Sequence, residues 1–393
     1  MKLHPPEEFG FSSERLKHIT KIMQHYVDDG KTAGIVTLVA RRGGVVHLEK
    51  CGYQNLEEKK PMALDTLFRI YSMTKPITSA ALMMLYERGL IRLEDPVHKY
   101  IPGFKKVKVL DAGGRLVAPN RDISIRHLLT HTAGLSYGDE PGSLIDRLYK
   151  PADLENVNIT NAEITRRLME LPLRFHPGEN WHYSYATDVV GYLIELISGV
   201  SLFEFLTEHI FIPLGMHETF FKVPAEMKER FSELYGMTDD QFLDVIDTSV
   251  GGDFFHVHRD GGGAGLVSTV ADYFRFAQCM LNKGELEGMR LLGPRTVDLM
   301  RTNHLPAGML PIVMGVPWPG IGFGLGFSVV LDITQSDQRG SVGSHGWGGW
   351  ASTHFWIDPV EEIIGILLLQ YIPSGTHPIA NIFRNMVYSA MVD

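Results

Sequence analysis

Ser72 and Lys75 are the first residues whose types and spacing could do chemistry. They occur in Ser72-Met73-Thr74-Lys75, a Ser-x-x-Lys pattern at the start of an amphipathic segment. A spacing of three places both side chains on one face of a helix, so the amine can reach the hydroxyl. Burial and the positive helix end would lower the pKa of the amine. The pattern predicts a nucleophile and its base, although alone it also fits an N-cap serine with a solvated lysine.

A second serine, Ser136, occurs in Gly134-Leu135-Ser136-Tyr137-Gly138, which matches the Gly-x-Ser-x-Gly elbow of lipases. That elbow exposes its hydroxyl only on a strained turn between a buried strand and a helix. Here the preceding segment has a helical pattern and the following residues form a turn. We therefore interpret Ser136 as a loop residue.

A third pattern, His256-Val257-His258-Arg259-Asp260, is similar to the His-x-His-x-Asp of two-metal hydrolases. The further histidine expected directly after the aspartate is replaced by Gly261. Because the chain has 17 histidines, chance pairs are expected. We therefore predict no metal site at His256, His258 and Asp260.

A tyrosine and a late glycine-rich run complete the set of candidates. Tyr183 lies in Pro177-Gly178-Glu179-Asn180-Trp181-His182-Tyr183-Ser184-Tyr185, and the run is His345-Gly346-Trp347-Gly348-Gly349-Trp350. A tyrosine beside a Ser–Lys pair can act as a base if the cation lowers its pKa, and a glycine-lined strand lets a substrate lie against the backbone. Each feature alone also fits a buried aromatic residue or a tight turn.

Taken together and in this order, these motifs resemble the serine β-lactamase-like hydrolases. That family holds class C β-lactamases, D,D-peptidases and family VIII carboxylesterases. The resemblance extends over four segments of the sequence: Leu67 to Gly103, Ile123 to Leu135, Pro177 to Tyr185 and Gly261 to Ala277.

The resemblance implies a role for each motif residue. Ser72 would be the acylated nucleophile, Lys75 its partner, and Tyr183 the base that shuttles protons. The backbone N–H groups of Ser72 and Trp350 would form the oxyanion hole. No metal and no organic cofactor would be needed.

Two departures from the β-lactamase pattern bear on the substrate. The family's Tyr-x-Asn is Tyr183-Ser184-Tyr185 here, and its Lys-Thr-Gly is matched by Trp347-Gly348-Gly349, as in family VIII esterases. Losing the amide and the cation removes partners for the amide and carboxylate of a β-lactam. A neutral, apolar ester is favoured, and in another alignment His345 would replace the lysine. The expected substrate-binding residues are Tyr185, His345, Trp347, Gly348 and Gly349, with Trp350 adding aromatic surface.

The function that these features favour is a carboxylesterase acting on short-chain or bulky esters through an acyl-enzyme. Alternatives within the same fold are an acyltransferase, a β-lactamase, and a D-amino-acid amidase or peptidase. A non-catalytic binding or scaffold protein is a further alternative, but Ser, Lys and Tyr are all present. The expected partner is a small-molecule ester.

Hydrophobic periodicity indicates the elements that must position these residues. Strands are expected near both ends of the chain and helices between them, so we predict an α/β fold: one antiparallel sheet flanked by helices, with an inserted, mostly helical domain. We assign residues 1–85 and 255–393 to the sheet domain and 86–254 to the helical domain, and the family resemblance implies that the active site lies between them. Predicted helices are Ser12–Tyr26, a helix from near Ser72 to Gly89, Ile123–Leu129, Thr160–Leu171, Thr187–Ile197, Phe203–His209, Val270–Leu281 and Pro378–Val392. Predicted strands are Gly34–Ala40, Val45–Leu48, Gly324–Leu331, Ala351–Ile357 and Ile363–Gln370.

Composition excludes other classes of function. A net charge of −9 without a basic run argues against nucleic acid as a partner. The most apolar stretch, Ile363 to Leu369, is too short to cross a bilayer, and the N-terminus lacks the features of a signal peptide. Cys51 and Cys279 are too few for a disulfide framework. We therefore expect a cytoplasmic protein that does not associate with membranes.

Overall fold

Helices and short strands alternate along the computed structural model, which describes residues 1–140, 142–238, 243–246 and 253–393. The helices are α1 (Ser13–Asp28), α2 (Thr74–Glu87), α3 (Ile125–Leu129), α4 (Leu144–Tyr149), α5 (Asn161–Glu170), α6 (Ala186–Ser198), α7 (Leu202–Leu206), α8 (Ile212–Leu214), α9 (Val270–Leu281), α10 (Pro294–Met300) and α11 (Ile379–Ser389). The first strands are β1 (Gly34–Arg41), β2 (Gly44–Asn55), β3 (Lys60–Pro61), β4 (Phe68–Arg69), β5 (Val109–Leu110), β6 (Leu116–Val117), β7 (Tyr235–Met237), β8 (Leu243–Val245) and β9 (Val267–Ser268). The later strands are β10 (Glu285–Leu286), β11 (Met289–Arg290), β12 (Ile312–Met314), β13 (Val316–Trp318), β14 (Ile321–Phe323), β15 (Ser328–Val330), β16 (His345–Gly348), β17 (His354–Asp358), β18 (Ile363–Leu369) and β19 (Tyr371–Ile372).

The main sheet has the strand order β14-β15-β16-β17-β18-β1-β2-β3, and each neighbouring pair is antiparallel. Strands from residues 34–61 therefore lie beside strands from residues 321–369. The join is the β1–β18 pair, with Ile35 opposite Leu369 and Arg41 opposite Ile363. Sequence from both ends of the chain thus builds one sheet, which confirms the predicted fold class.

Both faces of the sheet are covered by helices, as the alternation of side chains along β1 requires. Ile35 and Val39 point to one face, where they pack in a cluster with residues of α1 and α11. Val36 and Leu38 point to the other face and belong to the larger core that includes α2, α6 and α9. All residues of β1 and β18 are buried, which accounts for their nearly continuous apolar sequence.

The helix that follows Ser72 begins later than predicted. Residues Tyr71–Met73 form a 3₁₀ turn, and α2 starts at Thr74. Pro76 is then the third helical residue, where its missing N–H would have no partner inside the helix. From Thr74 to Leu85 every residue of α2 is buried, so the helix is a central core element that packs against α6.

One predicted strand is wrong in extent. Residues 324–331 do not form a single strand, because β14 ends at Phe323 and β15 begins at Ser328. Gly326, between them, has a φ of 101°, a left-handed conformation that reverses the chain. Gly326 therefore marks a turn within an apolar run that the sequence analysis interpreted as one strand.

The predicted domain division stays a prediction. The middle of the chain does contain α3 to α8, and the short strands β5 to β8 occur there as well. Within the described residues, no helix alone has the length and hydrophobicity to cross a membrane. In the part of the chain that the structure describes, one bent helix pair, Ala186–Ser198 and Leu202–Leu214, meets that test together, with an angle of 80° between its parts.

Candidate active site

Ser72 lies in the short turn between β4 and α2, and its backbone is fixed on both sides. The Ile70 N–H donates to the Leu266 carbonyl at 3.1 Å, and the Leu266 N–H donates to Thr74 Oγ1 at 3.1 Å. Tyr71, directly before the serine, has a φ of 41°. A left-handed conformation at a bulky residue is costly and is typical of functional sites.

Lys75 is fully buried one turn along, at the predicted distance from the serine. Its Nζ donates to Ser72 Oγ at 3.1 Å and to the Gly263 carbonyl at 2.7 Å. Burial lowers the pKa of this amine to about 7, while the nearby Asp188 carboxylate acts in the opposite direction. Near neutral pH a substantial fraction of Lys75 is therefore uncharged and able to accept a proton.

The glycine cluster before β9 lies close against the helices that carry Lys75 and Asp188. The Gly262 carbonyl accepts a hydrogen bond from Thr78 Oγ1 at 2.8 Å. A Cβ on Gly262 would lie 2.8 Å from the Thr187 carbonyl, and one on Gly263 would lie 2.3 Å from Asp188 Oδ2. Only glycine permits this approach, which brings the Gly263 carbonyl within reach of the lysine.

Tyr183 lies beside the same amine. Lys75 Nζ is 4.5 Å from the centre of the Tyr183 ring, and the tyrosine hydroxyl accepts a hydrogen bond of 2.9 Å from Trp347 Nε1. Burial raises the pKa of Tyr183, while the Ser72 hydroxyl and the Trp347 N–H act in the opposite direction. The resting form at neutral pH is the phenol, which donates a proton rather than accepting one.

Aromatic rings enclose the tyrosine. Trp347 lies 5.2 Å from the Tyr183 ring, Trp181 is stacked on it at 6.3 Å, and Tyr137 lies at 5.4 Å. His131 is 4.7 Å away, with a ring whose pKa burial depresses far below its usual value. The surroundings of the Tyr183 ring are therefore mostly aromatic.

The turn after β16 lies directly against the chain that leads to Ser72. A Cβ on Gly349 would lie 2.5 Å from the Ile70 carbonyl and 2.2 Å from Thr353 Oγ1. This contact places Trp350 next to Tyr71, with ring centres 5.6 Å apart. The backbone of Trp350 and that of Ser72 thus lie in neighbouring segments, as two donors of an oxyanion hole must.

The remaining predicted substrate-binding residues differ in their positions. Tyr185 is buried and packs on Tyr137 at 4.5 Å, and Trp350 is 39% exposed. His345 is buried against Phe327, where desolvation lowers the pKa of its imidazole to about 4. A neutral, buried imidazole is poorly suited to bind a carboxylate.

Ser136 has a different environment from Ser72. Its hydroxyl is fully buried, donates to Asp146 Oδ1 at 2.7 Å, and accepts from the Gly138 N–H at 3.1 Å. His182 Nε2 lies 3.2 Å away. Because these partners saturate the hydroxyl, Ser136 holds the loop that carries Tyr137.

The three residues considered for a metal do not converge. His256 is exposed and its Nδ1 lies 2.6 Å from Asp253, while the Asp260 carboxylate accepts the Phe203 N–H at 3.0 Å. Across the described parts of the chain, no group of three His, Cys, Asp or Glu residues has the geometry to hold a metal ion.

Several residues of the site were not identified from the sequence. They are Asp188 and the Gly263 carbonyl beside Lys75, together with His131, Tyr137 and Trp181 around Tyr183. His131 and Gly263 both lie in segments that carried the resemblance. The Gly263 carbonyl and the Asp188 carboxylate come from segments distant from Lys75 in the sequence. No short spacing pattern could therefore have predicted them.

Comparisons with known proteins give matches along most of the chain. The family model described as Beta-lactamase matches residues 19–384. Esterase EstB of Burkholderia gladioli is 30% identical over 405 residues, covering 98% of each chain. An uncharacterized protein of Mycobacterium tuberculosis is 36% identical over 361 residues, covering 88% of each. Among solved structures, EstCE1, described as a hydrolase with promiscuous acyltransferase activity, has a TM-score of 0.82 at 28% identity, covering 95% of this chain and 99% of its own.

Proposed function

The chain belongs to the Beta-lactamase family of serine hydrolases, which includes esterases and acyltransferases, and on that premise we propose that it is a carboxylesterase. Ser72 is the acylated nucleophile in this proposal. The observation that carries it is the hydrogen bond from Trp347 to Tyr183. It puts an uncharged aromatic donor where the β-lactamase pattern has a lysine, so a neutral ester fits better than an anionic lactam.

Acylation begins with Lys75 in its neutral form. As Ser72 Oγ attacks the ester carbonyl carbon, its proton passes to Lys75 Nζ, which lies 3.1 Å away. The N–H groups of Ser72 and Trp350 hold the oxyanion. Burial lowers the pKa of Lys75 and raises the pKa of Tyr183. These shifts favour Lys75 over Tyr183 as the initial base.

Collapse of the tetrahedral intermediate needs a proton for the leaving alcohol. Tyr183 donates it as the bond between carbonyl carbon and alcohol oxygen breaks, and the Lys75 ammonium then returns a proton to the phenolate. Deacylation is the reverse sequence with water in place of the alcohol. The Trp347 N–H stabilises the phenolate while it exists.

The test combines labelling with turnover. The protein is incubated with a p-nitrophenyl alkylphosphonate, and peptide mapping by mass spectrometry locates the adduct. We expect phosphonylation of Ser72 and loss of p-nitrophenyl butyrate hydrolysis by several orders of magnitude in Ser72→Ala. An adduct on Ser136, or full activity in Ser72→Ala, would refute the proposal.

Acyl transfer to an alcohol is a second candidate, favoured by the aromatic enclosure around Tyr183. These aromatic rings would bind an apolar alcohol more strongly than they bind water. Hydrolysis of p-nitrophenyl butyrate in the presence of butan-1-ol distinguishes the two. Butyl butyrate as the main product would identify a transferase, and butyric acid an esterase.

We also propose a cytoplasmic location. Cys51 and Cys279 are both free thiols, and Cys279 is buried. Unpaired cysteines are typical of a reducing compartment. Localisation of the tagged full-length protein in cell fractions tests this.

A further inference from the structure

The segment from Leu305 to Leu331 is unusual in its chemistry. Its 27 residues include no Asp, Glu, Lys, Arg or His, whereas the chain as a whole is 21% charged. The segment contains the hairpin of β12 (Ile312–Met314) and β13 (Val316–Trp318). Val313 and Val316 of this hairpin are 51% and 62% exposed. Surface hairpins ordinarily carry charges, so the uncharged exposed surface requires a reason.

The register of the hairpin separates its two faces. Ile312 pairs with Trp318, Val313 with Pro317, and Met314 with Val316. Paired residues share a face and alternate along each strand. Ile312, Met314, Val316 and Trp318 therefore form one face, and Val313 and Pro317 the other.

The first of these faces is turned toward the site. Ile312 is buried in the main core, and the Trp318 ring lies 6.0 Å from the Trp347 ring. Val316 belongs to this same face and is nevertheless 62% exposed. Its side chain is therefore exposed on the face that carries Trp318, two residues further along the same strand.

The position of Trp347 identifies which part of an ester would meet this face. Trp347 donates to the Tyr183 hydroxyl, and in the proposed mechanism that hydroxyl protonates the leaving alcohol. The order of contacts is thus leaving oxygen, Tyr183, Trp347 and then Trp318. In the proposed mechanism, an apolar group attached to the leaving oxygen would therefore extend toward the hairpin.

We propose that Met314, Val316 and Trp318 bind the alcohol part of the ester, and that the natural substrate carries a large, apolar, uncharged alcohol. This inference rests on the proposed esterase function. Because the segment offers no charged partner, alcohols bearing phosphate, carboxylate or ammonium groups would lose hydration without compensation. A hydrophobic alcohol gains from contact with the exposed face.

The test compares Val316→Asp with Val313→Asp, which makes the same change on the other face of the hairpin. For each variant, kcat/KM is measured on methyl, hexyl and 1-naphthyl acetate, and on methyl esters of acetic, hexanoic and decanoic acid. We expect Val316→Asp to lower the ratio of hexyl to methyl acetate at least about tenfold, and Val313→Asp to leave that ratio within about twofold of the native value.

Binding of the product alcohol gives a readout that does not depend on turnover. Calorimetric titration with 1-naphthol should show a dissociation constant at least about tenfold weaker in Val316→Asp than in Val313→Asp. Equal effects of the two variants on 1-naphthol binding and on the hexyl-to-methyl ratio would overturn the proposal. A loss of kcat/KM confined to the methyl esters of the longer acids would overturn it as well. A third outcome is that the native protein hydrolyses no ester, although Val316→Asp still weakens 1-naphthol binding more than Val313→Asp does. That outcome would refute the esterase proposal and support the apolar binding face.

Discussion

Lys75 is the residue whose ionisation controls the proposed reaction. Its burial lowers the pKa to about 7, and the neutral form accepts the serine proton. Below that pH the amine is protonated and inactive, so kcat/KM for p-nitrophenyl butyrate should fall as pH decreases through about 7 and level off above it. The measurement is a profile from about pH 5 to about pH 9.

Neighbouring histidines do not account for such a profile. Burial lowers the pKa of His131, and that of His182 as well. A His182→Asn variant should therefore retain the inflection near neutrality. A flat profile in the native protein across this range would remove Lys75 as the proton acceptor.

Trp347 offers a second test at the scale of one hydrogen bond. Trp347→Phe keeps an aromatic ring but removes the Nε1 donor to Tyr183, so kcat should fall about tenfold or more with a smaller change in KM. Trp181 provides the matched comparison, because it is stacked on the same ring and its buried Nε1 has no hydrogen-bond partner among the described residues. If Trp181→Phe lowers kcat as much as Trp347→Phe does, ring packing and not the hydrogen bond would be responsible.

The motif residues were predictable because their chemistry is local or tied to a short pattern. Ser72 and Lys75 are separated by one helical turn, and their contact follows from that spacing alone. Asp188 reaches Lys75 only because α6 packs on α2, which no local pattern contains. The direction of the Tyr183 pKa shift is likewise a property of burial, which is set by the whole fold.

At the scale of elements, the turn after β16 controls the distance between Trp350 and Ser72. Gly349→Ala would place a Cβ 2.5 Å from the Ile70 carbonyl, and backbone on both sides must move to accommodate it. We expect a loss of kcat of about 100-fold or more with the protein still folded. Activity and circular dichroism are compared with Gly308→Ala, where, apart from the two chain neighbours, no atom of the described residues lies within 4 Å of the new Cβ. Equal activity of the two variants would show that this contact does not position the site.

The loop that carries Tyr137 depends on Ser136. Ser136→Ala leaves the buried Asp146 carboxylate without its hydroxyl donor, which should lower the free energy of unfolding by about 1–3 kcal/mol. Urea denaturation measures this change, and kcat on p-nitrophenyl butyrate measured well below the unfolding transition should stay within about tenfold of native. Complete loss of turnover in a folded variant would give Ser136 a chemical role that its saturated hydrogen bonds do not suggest.

Prediction of the elements succeeded where the helical periodicity was strong or where a long apolar run marked a buried strand. The segments 12–26, 160–171 and 363–370 were placed within a few residues of α1, α5 and β18. It failed at residues 324–331, since an apolar run with glycines reads as one strand although Gly326 turns the chain. The hydrophobic pattern of a sequence does not report the backbone angle φ, so it could not show that Gly326 turns the chain.

For the whole molecule, the central question is whether the enzyme prefers an ester or a β-lactam as its substrate. We expect kcat/KM for p-nitrophenyl butyrate to exceed that for nitrocefin by at least about 100-fold, because Trp347 and Tyr185 replace the groups that bind a lactam. The double variant Trp347→Lys, Tyr185→Asn should shift this ratio toward nitrocefin, although Tyr185 is buried on Tyr137 and its loss will also lower stability. Equal native efficiency on both substrates would show that these two positions do not set the substrate class.

The pairing of β1 with β18 also determines how this protein must be made. Residues 34–41 leave the ribosome long before their partner strand at residues 363–369 has been synthesised. At usual rates of translation the interval is on the order of tens of seconds. Throughout this interval, one edge of the mostly apolar strand β1 has no partner in the growing polypeptide. The central sheet is therefore completed only after residues 363–369 have been synthesised, and until then we expect the nascent chain to bind chaperones that cover exposed strand edges.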